Sequence, residues 1–192
     1  PMNHPISVDS ETFVIWRSED RFTKNPDIVQ LGSGRLLLVY SDVDSHWSIE
    51  DQILTILASD DLGENWFKLS EVWKADLVAG DERLVTPRLS LLSDGRLAVV
   101  CDHNDYGYFH EDQPFGNWIW WSEDDGKTWS DPTVMEVPGF EPDRITECSN
   151  GQLLIATHLM RGDSQEFALI LSGSDDGGET WRVISTVAHD GY

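Results

Sequence analysis

Three charged side chains occupy equivalent positions in three similar segments of the chain. Asp27, Arg88 and Arg144 each lie seven residues before a glycine that begins an apolar run. A pair of arginines suits a carboxylate or a phosphate, because each guanidinium presents a planar fork of N–H donors. We expect these side chains to converge, with the arginines binding an anionic ligand group or pairing with acids such as Asp27 and Asp143.

The segments that must position these residues form a threefold repeat. A turn-like segment, S-x-D-x-G-x-[T/N]-W, recurs in step with the apolar runs that begin at Gly34, Gly95 and Gly151. A short Asp and a Gly favour a tight turn, and the Trp adds a large apolar face. A calcium loop needs ligands at alternate positions over twelve residues and a bidentate Glu at the twelfth. No copy of the repeat has this pattern. We interpret the repeat as structural, on the residues Ser59, Asp61, Gly63, Trp66, Ser122, Asp124, Gly126, Trp129, Ser174, Asp176, Gly178 and Trp181.

Each repeat is typical of four short strands. Runs of four to eight Val-, Ile-, Leu-, Thr- and Trp-rich residues alternate with Gly, Asp, Ser and Asn turns, and no helical period is sustained. Four antiparallel strands in about 55 to 60 residues indicate a β-propeller blade. The sequence therefore predicts an all-β propeller with blades at 24–73, 86–137 and 141–188.

The two ends of such a blade differ in what they carry. The S-x-D-x-G-x-[T/N]-W turns join the third and fourth strands. The start of the first strand and the connection between strands two and three lie at the opposite end. We expect function at that opposite end, which collects Lys24, Asp27, Arg88 and Arg144 with the segments that follow the second strands.

Composition excludes several classes of partner. The 192 residues include 13 Lys and Arg against 35 Asp and Glu, a formal net charge of −22. Nucleic acid and anionic membranes both require a positive surface, so we predict neither as a partner. No secretion signal or membrane-spanning run is visible, which leaves the compartment open. Two cysteines, Cys101 and Cys148, are too few for a disulfide framework.

The repeated turn resembles the Asp-box, or BNR repeat, of the sialidase superfamily, and the resemblance extends from residue 12 to residue 188. It implies a six-bladed propeller, of which this chain would be the N-terminal half. Residues 11–17 would form a strand that closes the ring, and residues 189–192 would lead into a further blade. The remaining half would come from the rest of a longer chain or from a second copy.

The resemblance also implies a reaction. In such enzymes a carboxylic acid protonates the leaving oxygen while a tyrosine attacks the anomeric carbon, giving retaining hydrolysis. Glu50 and Asp51 lie nearest the place of that acid, with Asp42 and Asp44 as alternatives. Each of them is otherwise an ordinary solvated loop carboxylate. The nucleophile and the other arginines of such enzymes belong to the half that is not in this chain.

The expected substrate is a terminal, acidic sugar of a glycoconjugate. The family's carboxylate-binding arginine is replaced here by Lys24, which precedes Asn25 and Pro26 and keeps the charge but not the planar fork. The alternative is a non-catalytic propeller that binds a glycan or a protein. The expected substrate-binding residues are Lys24, Asp27, Arg88, Asp102, His103 and Arg144.

The longest predicted connection, residues 102–116, begins with Asp102 and His103. Long loops on a rigid scaffold are where binding residues concentrate. Its aromatic residues either stack on sugar rings or pack against their own blade; they are Tyr106, Tyr108, Phe109 and Phe115. Its His, Asp and Glu residues show no metal-ligand spacing, so we predict no metal and no cofactor.

Overall fold

The computed structural model describes residues 14–47, 50–103, 116–161 and 166–188, which form three four-stranded antiparallel sheets. Blade one contains β1 (Phe22–Gln30), β2 (Leu36–Val43), β3 (Asp51–Ser59) and β4 (Phe67–Asp76). Blade two contains β5 (Leu84–Leu91), β6 (Leu97–His103), β7 (Asn117–Ser122) and β8 (Thr133–Met135). Blade three contains β9 (Thr146–Glu147), β10 (Leu153–Arg161), β11 (Glu166–Ser174) and β12 (Arg182–Ala188).

The blades pack face to face through their apolar strands. Residues of β6 alternate between the two neighbouring blades: Val99 belongs to the core shared with blade one, and Val100 to the core shared with blade three. Side chains on β6 are buried on both faces, which is why the strand is a continuous apolar run rather than an alternating one. Blade two is therefore the central layer of the described chain.

Each blade turns from its first to its second strand as the sequence predicts. Gly34, Gly95 and Gly151 have φ values of 92°, 90° and 84°. This left-handed conformation is open to glycine and strained for most other residues. In each turn the glycine N–H donates to the carbonyl three residues earlier, at 2.9 to 3.0 Å.

The ends of the chain differ from the regular blades. Residues 14–17, in which part of a closing strand is predicted, are not in a strand. Residues 11–13 and 189–192 lie outside the described residues, and so does nearly all of the 102–116 connection with its four aromatic residues. Ring closure therefore stays a prediction.

The fourth strand of blade two and the first strand of blade three are short. Pro132 lies directly before β8, and Pro142 lies four residues before β9. Proline has no backbone N–H to donate to a neighbouring strand, so ladders begin beyond it. No helix is found in the described ranges.

Candidate functional site

A kink before a proline shapes the innermost segment of every blade. Asn25, Thr86 and Glu141 each precede a proline and have φ values of 53°, 55° and 47°. In blades one and two the ladder register shifts at this kink, between Lys24 and Asp27 and between Val85 and Arg88. Such bulges redirect the side chains that follow them.

The proline and the turn glycine of the repeat align blade three with the other two blades in different ways. Counted from the proline, Asp27 and Arg88 correspond to Asp143; counted from the turn glycine, they correspond to Arg144. Blade three has one more residue between these landmarks than the other two blades have. That extra residue places an acid and a base side by side at the start of the third inner strand.

Arg144 forms an ion pair with Asp27 that joins blade three to blade one. Its Nε lies 3.0 and 2.9 Å from the two carboxylate oxygens, its Nη2 contacts Oδ1, and Nη2 also donates to the Ile28 carbonyl at 2.8 Å. The hydrogen bonds to Asp27 raise the pKa of Arg144 above its usual value. Asp27 Oδ2 also accepts the N–H of Leu89 at 2.9 Å, so one carboxylate ties all three blades together.

These residues surround an open cleft of about 540 Å³. Its charged lining contains two arginines and two aspartates, and an apolar wall comes from blade three. The cleft is lined by Asp27, Arg88, Asp143, Arg144, Thr146, Leu154, Ile155, Ala156 and Leu171. The sequence prediction that Asp27, Arg88 and Arg144 converge therefore agrees with their placement. The sequence prediction named Asp143 only as an acid that could pair with an arginine, although alignment on the proline makes Asp143 equivalent to Asp27 and Arg88.

Lys24 lies outside this cleft. Its ammonium donates to the His46 carbonyl at 3.0 Å. Its side chain lines a separate cavity of about 190 Å³ on blade one, together with Trp16 and Tyr40. Burial, followed by the nearby charge of Arg83, lowers the pKa of Lys24. The structure thus separates Lys24 from the two arginines with which the sequence grouped it.

Arg21 binds two of the carboxylates predicted for acid catalysis. Its Nη2 lies 2.8 Å from Asp51 Oδ1, and its Nε contacts Asp42 Oδ1. Glu50 is exposed, and its N–H donates to Asp44 Oδ1 at 3.1 Å. None of these four acids lines the cleft. The sequence analysis missed Arg21, because nothing local in the sequence marks its contacts.

Asp102 is a buried carboxyl at the junction of blades two and three. It is 1% exposed, and its Oδ2 accepts the N–H of Glu141 at 3.1 Å. Burial raises the pKa of Asp102 to about 7. His103, the next residue, contacts Glu82 through Nε2. Neither Asp102 nor His103 lines the cleft, although Asp102 binds the N–H of Glu141 two residues before Asp143.

The three repeated turns at the other end share one hydrogen-bond pattern. In the first copy Ser59 Oγ donates to Asp61 Oδ1 at 2.8 Å and accepts the N–H of Gly63 at 2.8 Å. The N–H of Asn65, followed by its side-chain amide, lowers the pKa of Asp61. Ser122 and Ser174 make the equivalent bonds in the other copies. These polar groups satisfy one another within each turn.

Trp66 and Trp129 pack over the glycines of their own turns, and the partner of the Trp N–H varies among the three copies. Trp66 and Trp181 donate to the carbonyls of Gly63 and Gly178 at 2.9 and 3.1 Å. Trp129 instead donates to Ser70 Oγ of blade one at 3.2 Å. The Trp side chain therefore also fixes the contact between neighbouring blades.

Three blades, each a four-stranded antiparallel sheet that contains this turn, define a protein of the Asp-box propeller class. The sequence matches the family of BNR repeat-like domains over residues 4–190, and the chain belongs to that family. No curated protein matches the chain.

Solved structures share the fold at low sequence identity. A protein of unknown function from Dyadobacter fermentans is 20% identical, with a TM-score of 0.74 over 92% of this chain and 58% of that one. The NanB sialidase from Streptococcus pneumoniae is 14% identical, with a TM-score of 0.66 over 96% and 47%. An α-L-arabinofuranosidase from Fusarium graminearum is 16% identical, with a TM-score of 0.62 over 85% and 52%. The chain spans less than two thirds of each.

No helix among the described residues is long and apolar enough to cross a membrane. No group of three or more His, Cys, Asp or Glu side chains in the described ranges is arranged to hold a metal ion.

Proposed function

We propose that this chain forms part of a carbohydrate-active propeller that hydrolyses a terminal sugar from a glycoconjugate, with the sugar in the cleft beside Arg88 and Arg144. The observation that carries the proposal is the cleft itself. Charged side chains from three blades line it, and they surround a volume of about 540 Å³ that suits a small polar ligand. The folds of a sialidase and an arabinofuranosidase support a glycan as the ligand.

The reaction we propose is retaining hydrolysis, with Glu50 or Asp51 as the acid. Glu50 is the better candidate of the two, because Asp51 already contacts the guanidinium of Arg21. Both carboxylate oxygens of Asp51 contact the Arg21 guanidinium, whereas a catalytic acid has to reach the leaving oxygen of the substrate. The nucleophile would come from outside this chain, as would the remaining substrate-binding groups.

We further propose that the three blades are part of a six-bladed ring. Apolar side chains on the face of blade three that points away from blade two remain partly exposed, among them Leu154, Leu171 and Ile184. A further blade would bury them as blade three buries blade two. That blade would come from a longer chain or a second copy. Light scattering that gives twice the mass of the chain would favour the second copy.

A non-catalytic propeller that binds a glycan or a protein is the second candidate. It is favoured by one observation: the four candidate acids of blade one do not line the cleft. The two candidates share the binding site and differ only in turnover.

Hydrolysis of chromogenic glycosides tests the proposal directly. The substrates are 4-nitrophenyl glycosides of arabinose, xylose, galactose and N-acetylneuraminic acid. In a protein that contains the complete ring, we expect turnover of at least one, at least tenfold weaker in Arg88→Ala. The matched control is Arg35→Ala, which removes an arginine paired with Asp60 at the opposite end of blade one. Glycan binding without turnover would favour the non-catalytic candidate, and equal effects of both variants would exclude the cleft as the site.

A further inference from the structure

We propose that the cleft selects a neutral sugar and excludes an acidic one, because the carboxylate of Asp27 occupies the guanidinium of Arg144 where an acidic sugar would bind. This inference rests on the proposed function and names its substrate class. It departs from the sequence-based expectation of an acidic sugar. Three observations carry it: the resident carboxylate, the balance of charge, and the position of Lys24.

The resident carboxylate is firmly held. Both oxygens of Asp27 lie within 3.0 Å of Arg144 Nε, and Oδ2 also accepts the N–H of Leu89. The side chain of Asp27 is only 10% exposed. A substrate carboxylate that displaced it would leave this nearly buried charge without its cation, a penalty that opposes the binding of an acidic sugar. Nη2 also donates to the Ile28 carbonyl, so the edge of the guanidinium formed by Nε and Nη2 is taken by groups of blade one.

The charges that line the cleft cancel. Arg88 and Arg144 are matched by Asp27 and Asp143. The sequence as a whole carries a net charge of −22, and the resulting field repels anions as they approach. A site that binds an anion on such a protein needs a local excess of positive charge, and the lining of this cleft provides none.

The third expected cation is in another place. Lys24 stands where a carboxylate-binding arginine was expected, yet its ammonium donates to the His46 carbonyl and its side chain lines the smaller cavity. It therefore adds no charge to the lining of the cleft.

The same lining suits a neutral sugar. Sugar hydroxyls both donate and accept hydrogen bonds, so they can donate to Asp143 and accept from Arg88 without either ion losing its charge balance. Mixed acids and bases of this kind match a polyol better than a carboxylate.

Binding to paired glycans, measured with the full chain, tests the inference. The probes are galactose- and arabinose-terminated glycans, together with the same galactose-terminated glycans capped by sialic acid. We expect the wild-type protein to bind at least one neutral glycan at least tenfold more tightly than the capped ones. Asp27→Asn keeps an acceptor for the Leu89 N–H but releases Arg144, so it should bind the capped glycans at least tenfold better than wild type does.

The control is Asp60→Asn, which makes the same charge change at another arginine-paired carboxylate. It should leave the preference unchanged. Tighter binding of the capped glycans by wild type would overturn the inference and leave the proposed function intact. No binding of any glycan would overturn both. An equal gain in Asp60→Asn would show that net charge, rather than Asp27, excludes acids, and would also overturn the inference.

Discussion

The two ends of the blades use the same repeat in opposite ways. At the Asp-box end, three copies make the same bonds inside turns of eight residues, as in the pair Ser59–Asp61 and the pair Ser174–Asp176. At the inner-strand end, equivalent positions hold different residues whose partners lie in other blades, as Asp27 and Arg144 do across 117 positions of sequence. Repetition at the first end maintains the blade. At the second end the repeat positions hold different charged residues, and these line the cleft.

The two ends also differ in how much of the fold their hydrogen bonds require. Bonds inside a turn form as soon as the turn does, whereas the bonds between inner strands need all three blades in place. Four measurements test this contrast between the two ends.

The largest effect is expected at the inner-strand end, in the pH dependence caused by Asp102. Its pKa is raised to about 7 in the folded protein. Between the ordinary carboxyl pKa and that value, the unfolded chain loses a proton that the folded chain keeps, so stability falls as the pH rises through this window. Relative to Asp102→Asn, the unfolding free energy of wild type should fall by about 4 kcal/mol between pH 4 and pH 8. Urea denaturation at several pH values measures it, and a constant difference would contradict it.

The next effect belongs to the Asp-box end, at Gly178. This residue has a φ of 99°, and an added Cβ would lie 2.6 Å from Cζ2 of Trp121 in blade two. Left-handed strain and overpacking together should make Gly178→Ala about 3 kcal/mol less stable. Gly32→Ala is the control, since a Cβ there meets nothing within 4 Å. Equal denaturation midpoints for the two variants would show that the close approach to Trp121 is unimportant.

A smaller effect is expected from Ser122→Ala. Ser122 is 2% exposed, and its hydroxyl accepts the N–H of Gly126 at 3.0 Å while donating to Asp124. Removing it leaves a buried donor without a partner, which costs about 2 kcal/mol. Ser33→Ala, at an exposed turn, should be nearly neutral. Thermal denaturation of both variants decides whether the turn depends on this hydroxyl.

The smallest effect compares one ion pair from each end. Arg144→Ala removes the partner of the nearly buried Asp27, but Arg144 itself is 48% exposed, so the change should cost only about 1 kcal/mol. Arg35→Ala breaks a more exposed pair with Asp60 and should cost less than about 0.5 kcal/mol. Their urea midpoints, measured at the same salt concentration, test the order. The reverse order would mean that Asp27 is stabilised mainly by the N–H of Leu89.

The sequence determined the blades and their turns. Gly34 and its counterparts, the Asp-box residues and the alternating strands all act within a few residues, so local patterns are enough to locate them. The sequence also predicted that Asp27, Arg88 and Arg144 lie close together, because they occupy equivalent positions of the repeat. It could not separate Lys24 from them, and it could not anticipate that Arg21 binds two of the candidate acids.

The pairing of charged side chains depends on the tertiary structure alone. The pairing of Arg144 with Asp27, the burial of Asp102 at a blade junction and the exclusion of Lys24 from the cleft all depend on contacts between blades. Such contacts link residues far apart in the chain, and one extra residue before Arg144 changes them. The physical reason is that a repeat fixes the backbone of each blade, whereas packing between blades fixes the surroundings of each side chain.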